Sequence, residues 1–376
     1  MLQSNPAQNT RLREILTSAV FVIILGGFII LNRVIIPPEK SMSERRVLDT
    51  MPAFNLESVA SAEFMDKFEN YAADSFAFRD GLRTLRAVTV FDVFFQTDKE
   101  GLFIGDSGAG KFAKVNEKSY QLAANKISKI TDDFLGGLNV YYSIIPDKSI
   151  YSGKFLPGFD ADKAAQILAD GLTGKPLTYI DLTASLSGDM FYKTDLHWDQ
   201  SKLEPVLDKL ESALDITVTR NFTVDKAGEF EGVYRGQIAL PLGKDTIYSM
   251  TNDAIRGAQM KYLDDYTLEM TDGEIYSLEK YAGDDKYDYF LHGPTTLIEI
   301  TNPANPNGRE LYIFRDSFTS SLAPLLISAY SKITLIDLRY LNSVALPMFV
   351  SFKPDSDALF LYSSQVLNNA GTLLVS

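Results

Sequence analysis

The sequence contains no cysteine, only two histidines and a single tryptophan. Without cysteine there can be no thiol nucleophile, thiolate zinc site, iron–sulfur cluster or disulfide, and the redox compartment stays undecided. Two histidines make a metal site built from several histidines nearly impossible. The sequence also lacks a basic surplus, because 36 Lys and Arg face 49 Asp and Glu, and the net charge of −13 disfavours nucleic acid as a partner. We therefore expect no metal, no cofactor and no nucleic-acid partner.

The composition is typical of a folded protein. Hydrophobic residues make up 45% of the 376 positions and aromatic residues 12%, which is enough to bury a large core. At roughly 100 to 200 residues per domain, this length allows one elaborated domain or two. We expect one main domain with appendages.

One long hydrophobic run, Ile15–Leu31, lies near the amino terminus. At about 1.5 Å per residue a helix over this run is roughly 26 Å long, which is the short end of what spans a bilayer unless the Arg33 side chain reaches the interface. We predict an uncleaved signal anchor that ends at Pro37–Pro38. A cleaved signal peptide is the alternative, but no small-x-small cleavage site follows the run. A buried helix of a soluble protein is the third interpretation, and the basic residues on both sides do not settle the orientation.

The body after this run alternates between helical and strand patterns. Apolar spacing over residues 60 to 95 predicts two helices broken near Asp74–Ser75, and Gly101–Asp106 predicts a strand and turn. A phosphate-binding loop at this glycine-rich turn is disfavoured, because GDSGAGK lacks the required spacing and ending. From residue 117 onward, helices alternate with short apolar runs, which predicts a mostly parallel sheet covered on both faces. The expected divisions are a leader and signal anchor (1–38), a membrane-proximal linker and helical and strand extension (39–115), and an α/β domain (116–376) with a β-rich insertion at about 220–305.

The segment that contains Asp195, His197 and Trp198 combines one of the two histidines with the only tryptophan. Histidine is the usual general base near neutral pH, and a carboxylate two residues away can fix its tautomer. A packed or surface His–Trp pair is the structural alternative, and spacing alone favours it.

A candidate nucleophile, Ser317, lies where an apolar strand should turn into a helix. A hydroxyl at such a turn is presented at the carboxyl edge of the sheet, where free amide groups and the helix dipole can stabilise an oxyanion. Helix capping by Ser317 is the alternative, which this position taken alone favours.

The two segments TDLHW and RDSF, in that order, resemble the DHHW family, which is related to the acetyltransferase-like proteins of alginate O-acetylation. The resemblance extends from about Phe54 to the carboxyl terminus and includes the IIPDK segment that ends at Lys148. It implies a fold similar to SGNH hydrolases, a three-layer α/β sandwich with the catalytic order permuted so that Asp and His precede Ser. One departure is Leu196, which stands where the family has the first of its two histidines.

The resemblance implies roles for three residues: Asp195 orients the base, His197 is the general base and Ser317 is the nucleophile. The implied chemistry is acyl transfer through an acyl-serine. Further candidates for substrate binding are Arg339, Lys148, Tyr234, Arg235 and Trp198. A surface ion pair is an equal interpretation of Arg339, and His292 is interpreted as structural.

Three functions follow from this interpretation. The leading hypothesis is an O-acyltransferase, O-acetyl by resemblance, that acts on a cell-envelope polysaccharide or exopolysaccharide. Its body would lie outside the cytoplasmic membrane, to which a single helix anchors it, and a membrane-bound O-acyltransferase would be a natural partner. The second hypothesis is a polysaccharide acetyl esterase, and the third is a glycan-binding scaffold without catalysis.

Overall fold

The computed structural model describes residues 6–35, 38–41, 43–55, 57–58, 61–153, 156 and 158–376. The chain divides into two compact units, residues 1–94 and residues 95–376. The α-helices are α1 (Pro6–Val34), α2 (Glu63–Asp74), α3 (Arg79–Val88), α4 (Glu117–Phe134), α5 (Ala161–Gly171), α6 (Glu204–Leu214), α7 (Val233–Ile238), α8 (Asp253–Gly257), α9 (Leu278–Tyr281), α10 (Thr319–Leu326), α11 (Leu346–Phe349) and α12 (Ser364–Leu367).

The other regular elements are strands, short 3₁₀ turns and the π-helical turn Thr89–Val93. The strands are β1 (Lys40–Ser41), β2 (Arg46–Val47), β3 (Asp98–Lys99), β4 (Leu102–Gly105), β5 (Gly108–Lys111), β6 (Asn139–Ile145), β7 (Leu177–Tyr179), β8 (Thr223–Phe230), β9 (Asp245–Thr251), β10 (Gln259–Leu263), β11 (Met270–Gly273), β12 (Leu297–Thr301), β13 (Glu310–Arg315), β14 (Lys332–Ile336) and β15 (Asp357–Ser363). The 3₁₀ turns are Lys148–Tyr151, Thr183–Ser185, Gly188–Met190, Gln200–Lys202, Lys286–Tyr289, Ile327–Ala329, Ser343–Ala345 and Ala370–Thr372.

The first unit begins with the long apolar helix α1. Its segment Arg13–Asn32 is long and apolar enough to cross a membrane, and none of it is buried. The helical break predicted near Asp74–Ser75 is confirmed, because α2 ends at Asp74 and α3 begins at Arg79. The leader residues 1–5, the Arg33 side chain and Pro37 lie outside the described residues.

The second unit is built on a mixed sheet that has eight strands among the described residues, in the order β11-β10-β12-β14-β13-β15-β6-β7. The five strands β14, β13, β15, β6 and β7 pair in parallel, which confirms the α/β alternation predicted from the sequence. Because these strands share one direction, the loops that follow them meet at a single carboxyl edge.

The segment 220–305, predicted as a β-rich insertion, contributes strands to two sheets. Its strands β8 and β9 form a separate antiparallel ribbon, but β10, β11 and β12 extend the central sheet through antiparallel pairs. A sequence pattern of short β-prone pieces shows strand content but not strand partners, which depend on contacts far apart in the chain.

Hydrophobic cores lie on both faces of the sheet. Along β13, Leu311 and Ile313 face one core and Tyr312 and Phe314 face the other, as the two-residue period of a strand requires. Helices α6 and α10 contribute to the first core, and α4 and α5 to the second. With both faces covered by helices, the rim of the sheet is the place where polar groups can meet a ligand.

Candidate active site

Ser317 lies in the turn between the end of β13 and the start of α10. The carboxylate of Asp316 shapes this turn, because it accepts hydrogen bonds from the amides of Phe318 at 3.1 Å and Ser363 at 2.6 Å. The second bond ties the turn to the end of the neighbouring strand β15. Ser317 is therefore held, half-buried, at the carboxyl edge of the parallel strands.

The structure brings Ser317 together with His197 and Asp195. Nε2 of His197 lies 2.8 Å from the Ser317 hydroxyl, and Nδ1 lies 2.7 Å from an oxygen of Asp195. Both distances are those of hydrogen bonds, so one imidazole connects a carboxylate to a hydroxyl. His197 and Asp195 are buried, whereas the serine is partly open to solvent.

Asp195 is the buried end of this hydrogen-bonded series. Burial by itself would raise the pKa of its carboxyl, but the hydrogen bond to the His197 ring and the attraction of that ring lower the pKa below its ordinary value. The amides of His197 and Val233 also donate to the two oxygens, at 3.1 and 3.0 Å. Asp195 is thus held as a carboxylate that can stabilise a positive imidazole.

Two charged side chains outside the series fix the loop that carries Asp195. The Asp245 carboxylate accepts hydrogen bonds from the amides of Lys193 and Thr194 and from the Thr194 hydroxyl, at 2.6 to 2.8 Å. On the other side, Nζ of Lys148 donates to the carbonyls of Tyr192 and Asp195 at 2.8 and 3.0 Å. The buried side chains of Asp245 and Lys148 therefore hold the backbone of this loop in place.

Gly232 lets the chain pass very close to this loop. Its amide donates to the Thr194 hydroxyl at 2.8 Å. A Cβ atom at position 232 would lie 2.3 Å from the Thr194 carbonyl oxygen and 2.5 Å from the Cβ of Asp195. Only glycine fits at this approach, and the next residue supplies the Val233 amide that binds Asp195.

The His197 ring is held on its face by Tyr287. The two ring centres are 3.8 Å apart and the planes differ by 8°. The Tyr287 hydroxyl lies 2.8 Å from the hydroxyl of Ser321 in α10, which also accepts a bond from Nε1 of Trp198 at 2.9 Å. Stacking and hydrogen bonds together leave the imidazole little freedom to rotate away from Ser317.

Ser317 opens into a cleft of about 320 Å³ at the carboxyl edge of the sheet. Arg339 follows β14 and lines the cleft, while its Nε and Nη2 bind Asp337 at 2.9 and 2.6 Å. Its remaining nitrogen, Nη1, makes no hydrogen bond with the part of the chain that the structure describes. Asn369, just after α12, also lines the cleft. The cleft therefore presents the guanidinium of Arg339 and the side-chain amides of Gln365 and Asn369 near the serine.

The other sequence candidates lie behind the cleft. Trp198 is fully buried and Lys148 is 3% exposed, so neither offers a surface to a ligand. Tyr234 is also buried, and its hydroxyl accepts a hydrogen bond from Gln365, which lines the cleft. Arg235 forms an ion pair with Glu231. These four residues are part of the structure around the loop that carries Asp195, and none of them lines the cleft in front of Ser317.

The second histidine lies away from the Ser317 cleft. His292 stacks on Tyr262, with ring centres 4.2 Å apart, and is absent from the wall of the Ser317 cleft. No cluster of three or more potential metal ligands occurs among the residues described above.

Sequence reasoning missed Tyr287, Asp245 and Asn369. Each comes from a segment without a recognisable motif, and each reaches the site through the fold: one from a 3₁₀ turn, one from β9 and one from the residues after α12. A tyrosine, an aspartate and an asparagine in such segments are common, so residue type gives no signal there.

Comparisons with known proteins show which solved structures have a similar fold. No family model and no curated protein matches the chain. Among solved structures, a DHHW family protein from Eubacterium siraeum is similar, with a TM-score of 0.59, 20% identity, and coverage of 74% of this chain and 97% of that one. PatB1 from Bacillus cereus with a sulfonyl adduct has a TM-score of 0.56 and 17% identity over 73% of this chain and 98% of that one. A second PatB1 structure gives 0.54 and 18%, over 71% and 96%. The resemblance to a DHHW family protein is thus confirmed at the level of the fold.

Proposed function

We propose that this protein is a membrane-anchored O-acyltransferase that transfers an acyl group, acetyl by resemblance, to a hydroxyl of a cell-envelope polysaccharide or exopolysaccharide. The observation that carries the proposal is the unbroken series Asp195–His197–Ser317, with separations of 2.7 and 2.8 Å. An imidazole that touches both a buried carboxylate and a half-buried hydroxyl is the arrangement that activates a serine nucleophile.

The first half of the reaction forms the acyl-enzyme. Nε2 of His197 takes the hydroxyl proton of Ser317 while Oγ forms a bond to the carbonyl carbon of the acyl donor. The resulting imidazolium is stabilised by the Asp195 carboxylate. The tetrahedral intermediate then collapses, the bond to the donor's leaving group breaks, and His197 gives the proton to that leaving group.

The second half transfers the acyl group. His197, neutral again, takes the proton of an acceptor hydroxyl, and the acceptor oxygen forms a bond to the acyl carbon. The bond to Ser317 breaks and the proton returns to the serine oxygen. Water in place of the acceptor would complete an esterase cycle with the same residues.

Two groups in the cleft support stabilisation of the oxyanion. The backbone amide of Ser317 donates to no carbonyl or side chain in the described ranges, and the Asn369 side chain lines the same cleft without a hydrogen bond there. Amides aimed at a developing negative charge lower the barrier to acyl transfer. We assign the oxyanion site to these two groups.

A long acceptor is supported by a second cleft beside the first. This cleft, of about 410 Å³, shares Arg339 with the Ser317 cleft, and Tyr340 forms part of its wall. A half-exposed tyrosine next to an arginine suits a sugar ring that carries acidic or acyl groups. A polymer chain could therefore bind across Arg339 with one hydroxyl near Ser317.

The membrane part of the proposal depends on α1 and on the resemblance. Its apolar segment Arg13–Asn32 supports a single-pass anchor. The resemblance supports an extracytoplasmic body and a membrane-bound O-acyltransferase as the partner that supplies acyl groups.

The test uses the full chain in lipid nanodiscs and p-nitrophenyl acetate as the acyl donor. Intact-mass spectrometry measures acetyl adducts on the wild type, on Ser317→Ala and on Ser328→Ala, a matched half-buried serine outside the cleft. We expect an adduct on the wild type and on Ser328→Ala but none on Ser317→Ala. Cellopentaose and chitopentaose then serve as probe acceptors.

The outcomes separate the three functions. Acetylated oligosaccharide supports the transferase, whereas free acetate without acetylated sugar favours the esterase. Equal adducts on the wild type and on Ser317→Ala would refute Ser317 as the nucleophile. Neither adduct nor turnover from a folded protein would favour the glycan-binding scaffold.

A further inference from the structure

We propose that the first unit lies on the surface of the bilayer through a second, in-plane contact formed by α3 and the turn that follows it. The contact consists of the apolar side chains of Phe78, Leu82, Leu85, Val93 and Phe94, which we call the outer face. The proposal depends on the membrane anchoring by α1 and goes beyond the catalytic function.

The outer face is unusual because α3 exposes large apolar side chains, next to the charges of Asp80 and Arg86, while two of its arginines are half-buried. Phe78, Leu82 and Leu85 are 63%, 39% and 60% exposed. By contrast, the side chains of Arg79 and Arg83 are only 15% and 17% exposed. A helix on a soluble protein turns its apolar side inward and its charges to water. In α3 this arrangement is partly reversed, as in a helix that lies between an apolar and a polar phase.

The inward charges form a cluster that fixes this orientation. Arg79 pairs with Glu44 at 2.5 Å and with Asp74 at 3.2 Å, and Arg83 pairs with Glu44 at 3.1 Å. Arg46 binds the same Asp74 at 2.5 Å. Because two carboxylates bind three guanidinium groups, turning α3 over would break several partly buried ion pairs at once. The outer face is therefore held outward by the fold of the unit.

Three residues of the outer face form a stripe on one helix side, and two more follow after a segment that carries Arg86 and Thr89. Phe78, Leu82 and Leu85 follow the i, i+4, i+7 pattern of a single helix side. The π-helical turn Thr89–Val93 continues directly from α3, and Val93 and Phe94 are 58% and 65% exposed. A stripe of this length with large side chains matches a helix that lies in the plane of a membrane interface.

Contacts with α1 place this stripe at the depth of the bilayer surface. The ring of Phe76, just before α3, stacks on Phe28 of α1 with ring centres 5.1 Å apart. The amide of Ala77 donates to the side chain of Asn32 at 2.7 Å. Phe28 lies four residues inside the end of the apolar segment Arg13–Asn32, about 6 Å along the helix axis. The start of α3 is thus at the level where the span leaves the hydrocarbon.

Lipid is the occupant that these observations favour over a protein. With α1 as the membrane anchor, its exposed apolar surface is covered by lipid, and the outer face begins two residues after Phe76, which contacts α1. The two apolar surfaces are therefore neighbours within one unit, and the same bilayer can cover both. A protein partner that covers the outer face becomes an outcome of the test.

The absence of cysteine makes a site-specific test straightforward. Single-cysteine variants Leu85→Cys and Phe94→Cys of the full chain are labelled with the fluorophore NBD and placed in nanodiscs of phosphatidylcholine and phosphatidylglycerol. A label at Ile24→Cys in α1 reports whether α1 lies in the bilayer. Val224→Cys is the matched control, because Val224 is 51% exposed on β8 in the second unit. Quenching by lipids with a doxyl group on the acyl chain is compared with quenching by iodide in water.

We expect the labels at positions 85 and 94 to be quenched by doxyl lipid at least threefold more than the label at 224. Iodide in water should quench the label at 224 more than the labels at 85 and 94. Quenching at 24 without quenching at 85 and 94 would overturn the second contact and leave the anchor intact. No lipid quenching at 24 would overturn the anchor itself. The labels at 85 and 94 could instead be protected from iodide only in native membranes and not in nanodiscs. That result would show that a protein partner, not lipid, covers the outer face.

Discussion

Replacement of Asp195 by asparagine is the most direct test of how the site activates Ser317. The change keeps the size of the side chain but removes the negative charge that lies 2.7 Å from Nδ1 of His197. A buried amide can donate to Nδ1, which places the imidazole proton on Nε2. In that tautomer Nε2 cannot accept the proton of Ser317, although the 2.8 Å contact remains.

The size of the effect follows from two losses. The imidazolium formed during acylation loses its carboxylate partner, and the base is held in the wrong tautomer. In a serine protease with the same arrangement, the corresponding change lowers kcat about 10⁴-fold. At 1.36 kcal/mol for each factor of ten, this is about 5.5 kcal/mol of transition-state stabilisation. We expect a loss of about 10³- to 10⁴-fold in the rate of Ser317 acylation.

The assay is the burst of p-nitrophenolate from p-nitrophenyl acetate, followed by stopped flow on the full chain in nanodiscs. Asp199→Asn is the matched control, because Asp199 is a buried carboxylate on the same loop that accepts hydrogen bonds from Ser201 and touches neither His197 nor Ser317. The control should stay within about threefold of the wild type. An Asp195→Asn protein that folds and acylates within tenfold of the wild-type rate would refute the proposed role of the carboxylate.

Two further predictions concern the groups that hold the loop and the ring. Tyr287→Phe keeps the stack on His197 and should stay within about twofold in acylation rate. Tyr287→Leu removes the stack, and a loss of about 0.5 to 1.5 kcal/mol predicts a rate about two- to tenfold lower; equal rates for the two variants would contradict this. Burial lowers the pKa of Lys148 to about 8. Between pH 8 and the higher pKa of the unfolded chain, the unfolded state binds more protons, so the stability of the wild type should rise with pH. The Tm of the wild type minus the Tm of Lys148→Met should therefore increase from pH 8 to pH 10, and a constant or decreasing value would contradict this sign.

The sequence by itself determined the parts of this protein that depend on local pattern. The uncharged run Ile15–Leu31 predicted an apolar helix, and the helical break at Asp74–Ser75 follows from the spacing of the surrounding apolar residues. The same holds for the strand that ends at Arg315 and the helix after it, although α10 begins at Thr319 and changes to a 3₁₀ turn after Leu326. These features are visible in sequence because hydrophobic periodicity acts over a few neighbouring residues.

Tertiary structure alone decided how distant segments meet. Asp195 and Ser317 are separated by more than 100 positions, and only the parallel strands and the loop held by Lys148 and Asp245 bring them to one imidazole. The stack of Tyr287 on His197 has no counterpart in any motif. The sequence predicted β-rich content for the segment 220–305, and the fold pairs three of its strands with the central sheet. Strand partners and side-chain contacts across such distances depend on the packing of the whole core, to which no short window of sequence is sensitive.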